Sequence, residues 1–153
     1  MSAFQAAGIG ETFIQDNHSA SVGGTLRGLH FQTHPGQAKL TRCTAGKIWD
    51  VAVDLRPSSV SFGRHFGVEL TAEDPCQLFI PVGFAHGFLV LSDWAQVQYK
   101  CSNLYNASTE SGIQWNDPDL AVAWPLGATL PLISDRDKKN QSFADFREKI
   151  LSP

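Results

Sequence analysis

Residues 47–55 read KIWDVAVDL. Trp49, Val51, Val53 and Leu55 fall on one side of an extended chain, and Ile48, Asp50, Ala52 and Asp54 on the other. A two-residue period belongs to a strand, in which successive side chains point to opposite faces. The same alternation returns in FGVELTA (66–72), CQLFIP (76–81), HGFLVLS (86–92) and AQVQYKCS (95–102). In the last of these, Val97, Tyr99 and Cys101 share one face, and Gln96, Gln98 and Lys100 the other. Turn-forming residues separate the runs at Pro35-Gly36, Ala45-Gly46, Pro57-Ser58, Asp74-Pro75 and Pro81-Val82-Gly83. Many short strands at even spacing predict an all-β sandwich or barrel.

Helical spacing is confined to the ends. SAFQAAGI (2–9) reads as one or two helical turns stopped by Gly8, and SDRDKKNQSFADFREKIL (134–151) as a helical tail capped by Ser134. No repeat, linker or low-complexity stretch divides the chain, so residues 1–153 are expected to form one domain with a sizeable core. The net charge of −3 is scattered in both signs, and no Lys/Arg block marks a nucleic-acid face. No apolar run is long enough to cross a bilayer. MSAFQAAGIGETF (1–13) has neither the basic flank nor the apolar core of a signal peptide. Cys43, Cys76 and Cys101 are odd in number and far apart, as expected of reduced, buried thiols in a cytoplasmic protein.

Chemistry concentrates in TLRGLHFQTHPGQAKL (25–40), which carries Arg27, His30, His34 and Lys39. In a strand His30 faces away from Leu29 and Phe31. If those two pack outside a barrel, His30 points inward. A lone strand histidine is most often a hydrogen-bonded core residue, but a second histidine stands in IPVGFAHGFLVL (80–91). There Pro81-x-Gly83-x-x-His86 resembles the second signature of the cupin barrels. Their first signature supplies two histidines one residue apart and then a glutamate, as metal ligands. Here its place is taken by His30-Phe31-Gln32, with no glutamate before Lys39. A lysine so near would repel a divalent ion, and only His30, His86 and His34 are at hand as ligands. No metal is expected.

Read together, FIQDNHS, LRGLHFQ, KLTRC, DVAVDLRPSS, QLFIPVGFAHGFLVLS, YKCSNLY, GIQWNDPDLAVAWPL and ISDRD resemble the dTDP-4-dehydrorhamnose 3,5-epimerase family, in its order, from about Phe13 to Asp137. The resemblance implies a cupin-type jelly-roll β-barrel with a short helical C-terminal tail, no cofactor, and a homodimer. It implies action on dTDP-4-keto-6-deoxyglucose, whose C4 ketone acidifies the C3 and C5 protons. It also implies roles. His30 is the base, oriented by Asp137, and Tyr99 is the proton donor on the other face of the sugar. Lys39 stands by the sugar oxyanion. Gln15, Asp16 and Asn17 contact the nucleotide-sugar, Arg27 grips the diphosphate and His86 touches the substrate. Tyr105 stacks on thymine, and Glu110 and Arg136 are further contacts. His18, His34 and His65 are read as surface residues.

The chain reads as short at its N-terminus relative to the family, lacking the strands that normally precede FxQDNHS. Two readings stand beside the 3,5-epimerase: a C3-only epimerase of deoxysugar biosynthesis, and a non-catalytic nucleotide-sugar-binding cupin.

Overall fold

The computed structural model describes residues 3–151. After the short helix α1 (Ala3–Ala6) come β1 (Gln15–Val22), β2 (Thr25–Gln32), β3 (Lys39–Ala45), β4 (Lys47–Asp54) and β5 (His65–Thr71). Then follow β6 (Leu78–Ile80), β7 (Phe84–Val90), β8 (Trp94–Cys101), β9 (Glu110–Gly112) and β10 (Leu132–Ile133). A 3₁₀ turn at Asp137–Lys139 and helix α2 (Phe143–Leu151) end the described chain. One sheet runs β1-β8-β3-β6 and the other β10-β2-β7-β4-β5, with β9 also on β2. All pairings are antiparallel except β10 on β2. This is the expected all-β jelly roll. No helix among the described residues is long and apolar enough to cross a membrane.

The inner strands β4 and β7 of the six-stranded sheet are buried on both faces, which explains why KIWDVAVDL shows so few exposed positions. The sheet's outward residues Leu26, Leu29, Phe31, Val51, Val53 and Leu89 join one core cluster with Ile113, Leu120, Trp124, Phe143 and Phe146 of the C-terminal segment. Its inward residues Ile48, Phe88 and Val90 meet Cys43, Ala95 and Val97 of the facing sheet in a second cluster. Leu29 and Phe31 therefore do pack outside, and His30 faces inward.

A bulge in β2 sets the site. Arg27 pairs with Phe88 and His30 with His86, so three steps along β2 match two along β7. The extra residue reverses the alternation, as a bulge does. Gly28 makes it possible. Its φ is 129°, and a Cβ there would lie 2.6 Å from Gly87 Cα. Only a residue without a side chain fits this close crossing of two backbones.

The tail departs from the continuous helix expected from Ser134. Ser134 Oγ does accept the Asp137 N–H at 3.0 Å, but it caps only the 3₁₀ turn. The α-helix starts at Phe143, where Ser142 and Asp145 cap each other reciprocally. Buried Asp117 also accepts the Phe143 N–H at 2.7 Å. The helix then sets Phe143 and Phe146 on the sheet, Phe146 edge-on to Phe31 at 5.3 Å. Each such phenylalanine stabilises the fold by about 2 kcal/mol. One thiol expectation is corrected: Cys43 and Cys101 are buried, but Cys76 is exposed. It lies in the loop before β6, where no sheet covers it.

Candidate active site

The two sheets enclose a cavity of about 250 Å³. From β2 comes His30, from β7 His86, from β3 Lys39 and from β8 Tyr99. His30 Nε2 meets Asp137 Oδ1 at 2.5 Å. The carboxylate is 3% exposed and the imidazole 27%. Asp137 is brought from far along the chain because the bulge leaves Gly28 N–H to donate to its Oδ2, at 3.3 Å. Asn140 closes the clamp by donating to Gly28 O at 3.3 Å. With Nε2 on the carboxylate, Nδ1 is the His30 nitrogen left to accept a proton.

Burial by itself would raise the Asp137 pKa. The His30 hydrogen bond and charge, the Gly28 N–H and Ser134 outweigh it and hold Asp137 below its ordinary value. The folded chain thus binds fewer protons than the unfolded one just below the ordinary carboxylate pKa of about 3.9. This stabilisation is complete above that pH and is lost as pH falls through the lower, folded value. Melting curves below about pH 5 should fall less steeply for Asp137→Asn than for the native chain. Equal slopes would refute this linkage.

Lys39 is buried, which lowers its pKa, while the charges of Cys101 and Glu110 act the other way. Burial foremost raises the Tyr99 pKa, so its hydroxyl keeps its proton at neutral pH. Tyr99 lies edge-on to His86, ring centroids 6.1 Å apart. Beneath His86, Asp50 Oδ1 accepts from Nε2 at 2.8 Å.

The mouth is polar. Tyr105 N–H donates to Gln15 Oε1 at 2.7 Å, Gln15 to Asn17 Oδ1 at 3.1 Å, and Asn17 to Cys101 Sγ at 3.3 Å. This chain of hydrogen bonds fixes two strand residues, Gln15 and Asn17, at the mouth. Arg27 Nε donates to Ser21 Oγ at 3.1 Å, and Arg136 pairs with Glu110 at 2.5 Å. Tyr105 is half exposed at the rim.

The cavity gathers Gln15, Asn17, Arg27, His30, Lys39 and His86, and with them Tyr99, Tyr105, Glu110 and Arg136. Asp137 stands behind His30 and does not line it. Asp16 is the correction. Strand alternation turns it to the outer face, where it pairs with Lys100 at 3.0 Å. Sequence reasoning missed Asp50, Ser19, Gln32 and Gln37. An aspartate inside the apolar run of β4 was the available signal for the first. His18, His34 and His65 are exposed. Among the described residues no three His, Cys, Asp or Glu side chains converge as metal ligands. Each cavity histidine is instead bonded to its own carboxylate.

Residues 1–145 match the family model described as dTDP-4-dehydrorhamnose 3,5-epimerase. The chain belongs to that family. The dTDP-4-dehydrorhamnose 3,5-epimerase of Shigella flexneri is 51% identical over 142 residues, covering 92% of this chain and 77% of that one. The one from Pseudomonas aeruginosa is 48% identical over 141 residues, with 92% and 77% covered. A crystal structure of the Legionella pneumophila family member in complex with dTDP-4-keto-L-rhamnose superposes with a TM-score of 0.88. It is 42% identical, and the match covers 95% of this chain and 81% of that one. Relatives are thus longer than the stretch they share with this chain.

Proposed function

We propose that the chain is an isomerase that epimerises C3 and C5 of dTDP-4-dehydro-6-deoxy-D-glucose, giving dTDP-4-dehydro-L-rhamnose. The observation that carries this reading is His30, on one sheet and backed by Asp137, facing a cavity that Tyr99 enters from the other sheet. His30 Nδ1 takes the proton next to the C4 ketone, and Asp137 stabilises the imidazolium that forms. The electrons move onto the C4 oxygen as an enolate. Lys39, fixed in a water-poor cavity, stabilises that charge. Tyr99 returns a proton on the opposite face, which inverts the carbon.

A cavity of about 250 Å³ suits the sugar rather than a whole nucleotide-sugar. The diphosphate then meets Arg27 at the rim, whose Nε is tied to Ser21 while its terminal nitrogens remain for a bidentate grip. Thymine lies against half-exposed Tyr105, with Gln15 and Asn17 as polar contacts. Glu110 and Arg136 flank the same rim. In this reading residues 1–153 act as one domain in a cytoplasmic homodimer. The half-exposed apolar pair Val22 and Trp94, cross-strand partners on the first sheet, supports self-association.

Proton NMR in D2O with the 4-keto-6-deoxyglucose nucleotide tests the reading. Loss of both the C3 and C5 proton signals is expected. Loss at C3 alone would make it a C3-only epimerase. Binding of dTDP with no exchange would leave it a binding protein.

A further inference from the structure

His86 and Asp50 form a second histidine–carboxylate pair that the steps above leave idle. Asp50 is wholly shielded from solvent, and its Oδ2 has no partner among the described residues. A carboxylate stripped of water with one hydrogen bond is tolerable only where a cation or a shared proton answers its charge. Its strand neighbours Val68 and Phe88 are apolar. Cys43, which feels its charge, has a thiol pushed up chiefly by burial and stays neutral. His86 is the remaining partner. Its Nε2 is committed to Asp50, so Nδ1 is the nitrogen without a partner among the described residues, on a ring that lines the cavity beside Tyr99.

Two inversions make a demand that one does not. Each delivery leaves Tyr99 as a phenolate. Burial disfavours that charge, and the second carbon cannot be protonated until the hydroxyl is restored. We propose that the His86–Asp50 pair returns this proton to Tyr99 between the two inversions, with Asp50 a positioning residue that keeps Nε2 occupied and Nδ1 as the donor. The proposal rests on the epimerase reading. Protonated Nδ1 gives its proton to the phenolate oxygen and leaves a neutral ring with Nε2–H still on Asp50. A solvent proton entering through the mouth restores it. His30 meanwhile releases to solvent the proton it took from the sugar, so the cycle closes without net gain or loss.

The test is the partition between singly and doubly exchanged sugar in D2O, read by NMR on the native chain, Asp50→Asn and His86→Gln. Asp50→Asn retains an oxygen that accepts from Nε2–H but loses the charge. Its first exchange and its KM should stay within about threefold of the native chain. Its second exchange should fall about tenfold or more, and mono-epimerised sugar should accumulate. His86→Gln keeps a donor to Asp50 but loses Nδ1; whatever happens to its KM, its ratio of second to first exchange should fall about tenfold or more, and it carries the test if Asp50→Asn does not fold. Equal loss of both exchanges, or an unchanged ratio, would overturn the relay while leaving the epimerase reading intact. Native exchange at one carbon only would also overturn it, because no recharging is then needed. A native chain that exchanges at neither carbon would remove the epimerase reading itself.

Discussion

His30→Gln is expected to lower proton exchange from the sugar by about 10³-fold or more, at both carbons alike. Glutamine has no nitrogen able to take up a proton near neutral pH, and the other cavity histidine, His86, is paired with Asp50 beside Tyr99 and does not take the place of His30. The geometry that matters is the short bond from Nε2 to a carboxylate that is 3% exposed. It orients the ring, leaves Nδ1 as the accepting nitrogen and answers the positive charge once the proton arrives. Glutamine rather than alanine is the informative replacement, because its amide nitrogen takes the place of Nε2 and still offers Asp137 a hydrogen-bond donor. An empty space there would leave a buried charge unpaired, at a cost of about 3–5 kcal/mol, and confuse lost chemistry with lost folding. The measurement is C3 and C5 exchange by NMR alongside dTDP affinity. Exchange at the native rate would remove His30 from the mechanism. A parallel collapse of dTDP affinity would assign it to binding.

Tyr99→Phe should separate proton removal from inversion. The base remains, so the enolate still forms. With no acid on the far face, the carbanion recovers a proton only from the His30 side and keeps its configuration. Deuterium should therefore enter the sugar with retention, while formation of the L-configured product falls by about 10²–10⁴-fold. Folding should be little disturbed. The ring keeps its edge-on contact with His86, and among the described residues no hydrogen bond from the hydroxyl holds the fold. NMR in D2O reads both outcomes from one sample. Inversion at the native rate would show that another group delivers the proton. Loss of exchange together with inversion would show that Tyr99 is needed to form the enolate.

The strand runs of β4, β5, β7 and β8 were legible because their alternation is local and half the pattern is apolar. The edge strands β9 and β10, only a few residues long, were not. They exist because β2 offers them an edge, and no periodicity can develop over such lengths. The tail was legible as helical but not where it begins. Ser134 has the right chemistry for a cap, and what stops the helix there is the demand that Asp137 turn toward Gly28. Gln15 and Asn17 took their places in the cavity and Asp16 did not, by the plain alternation of β1.

What the sequence determined by itself is the all-β class, the inward direction of His30 from its apolar neighbours Leu29 and Phe31, and the set of side chains capable of acid–base chemistry. The tertiary structure alone decided how they meet. By strand parity Arg27 and His30 belong on opposite faces. The bulge at Gly28 adds one residue against β7 and turns both toward the cavity. The N–H freed by that bulge then draws Asp137 in from the far end of the chain. Asp50 likewise became a partner of His86 only because β4 and β7 pair in a register that places the two on one inner face. Alternation is a property of neighbouring residues and is written locally. Register and bulges depend on which strand lies alongside, and that is settled only when the sheets pack.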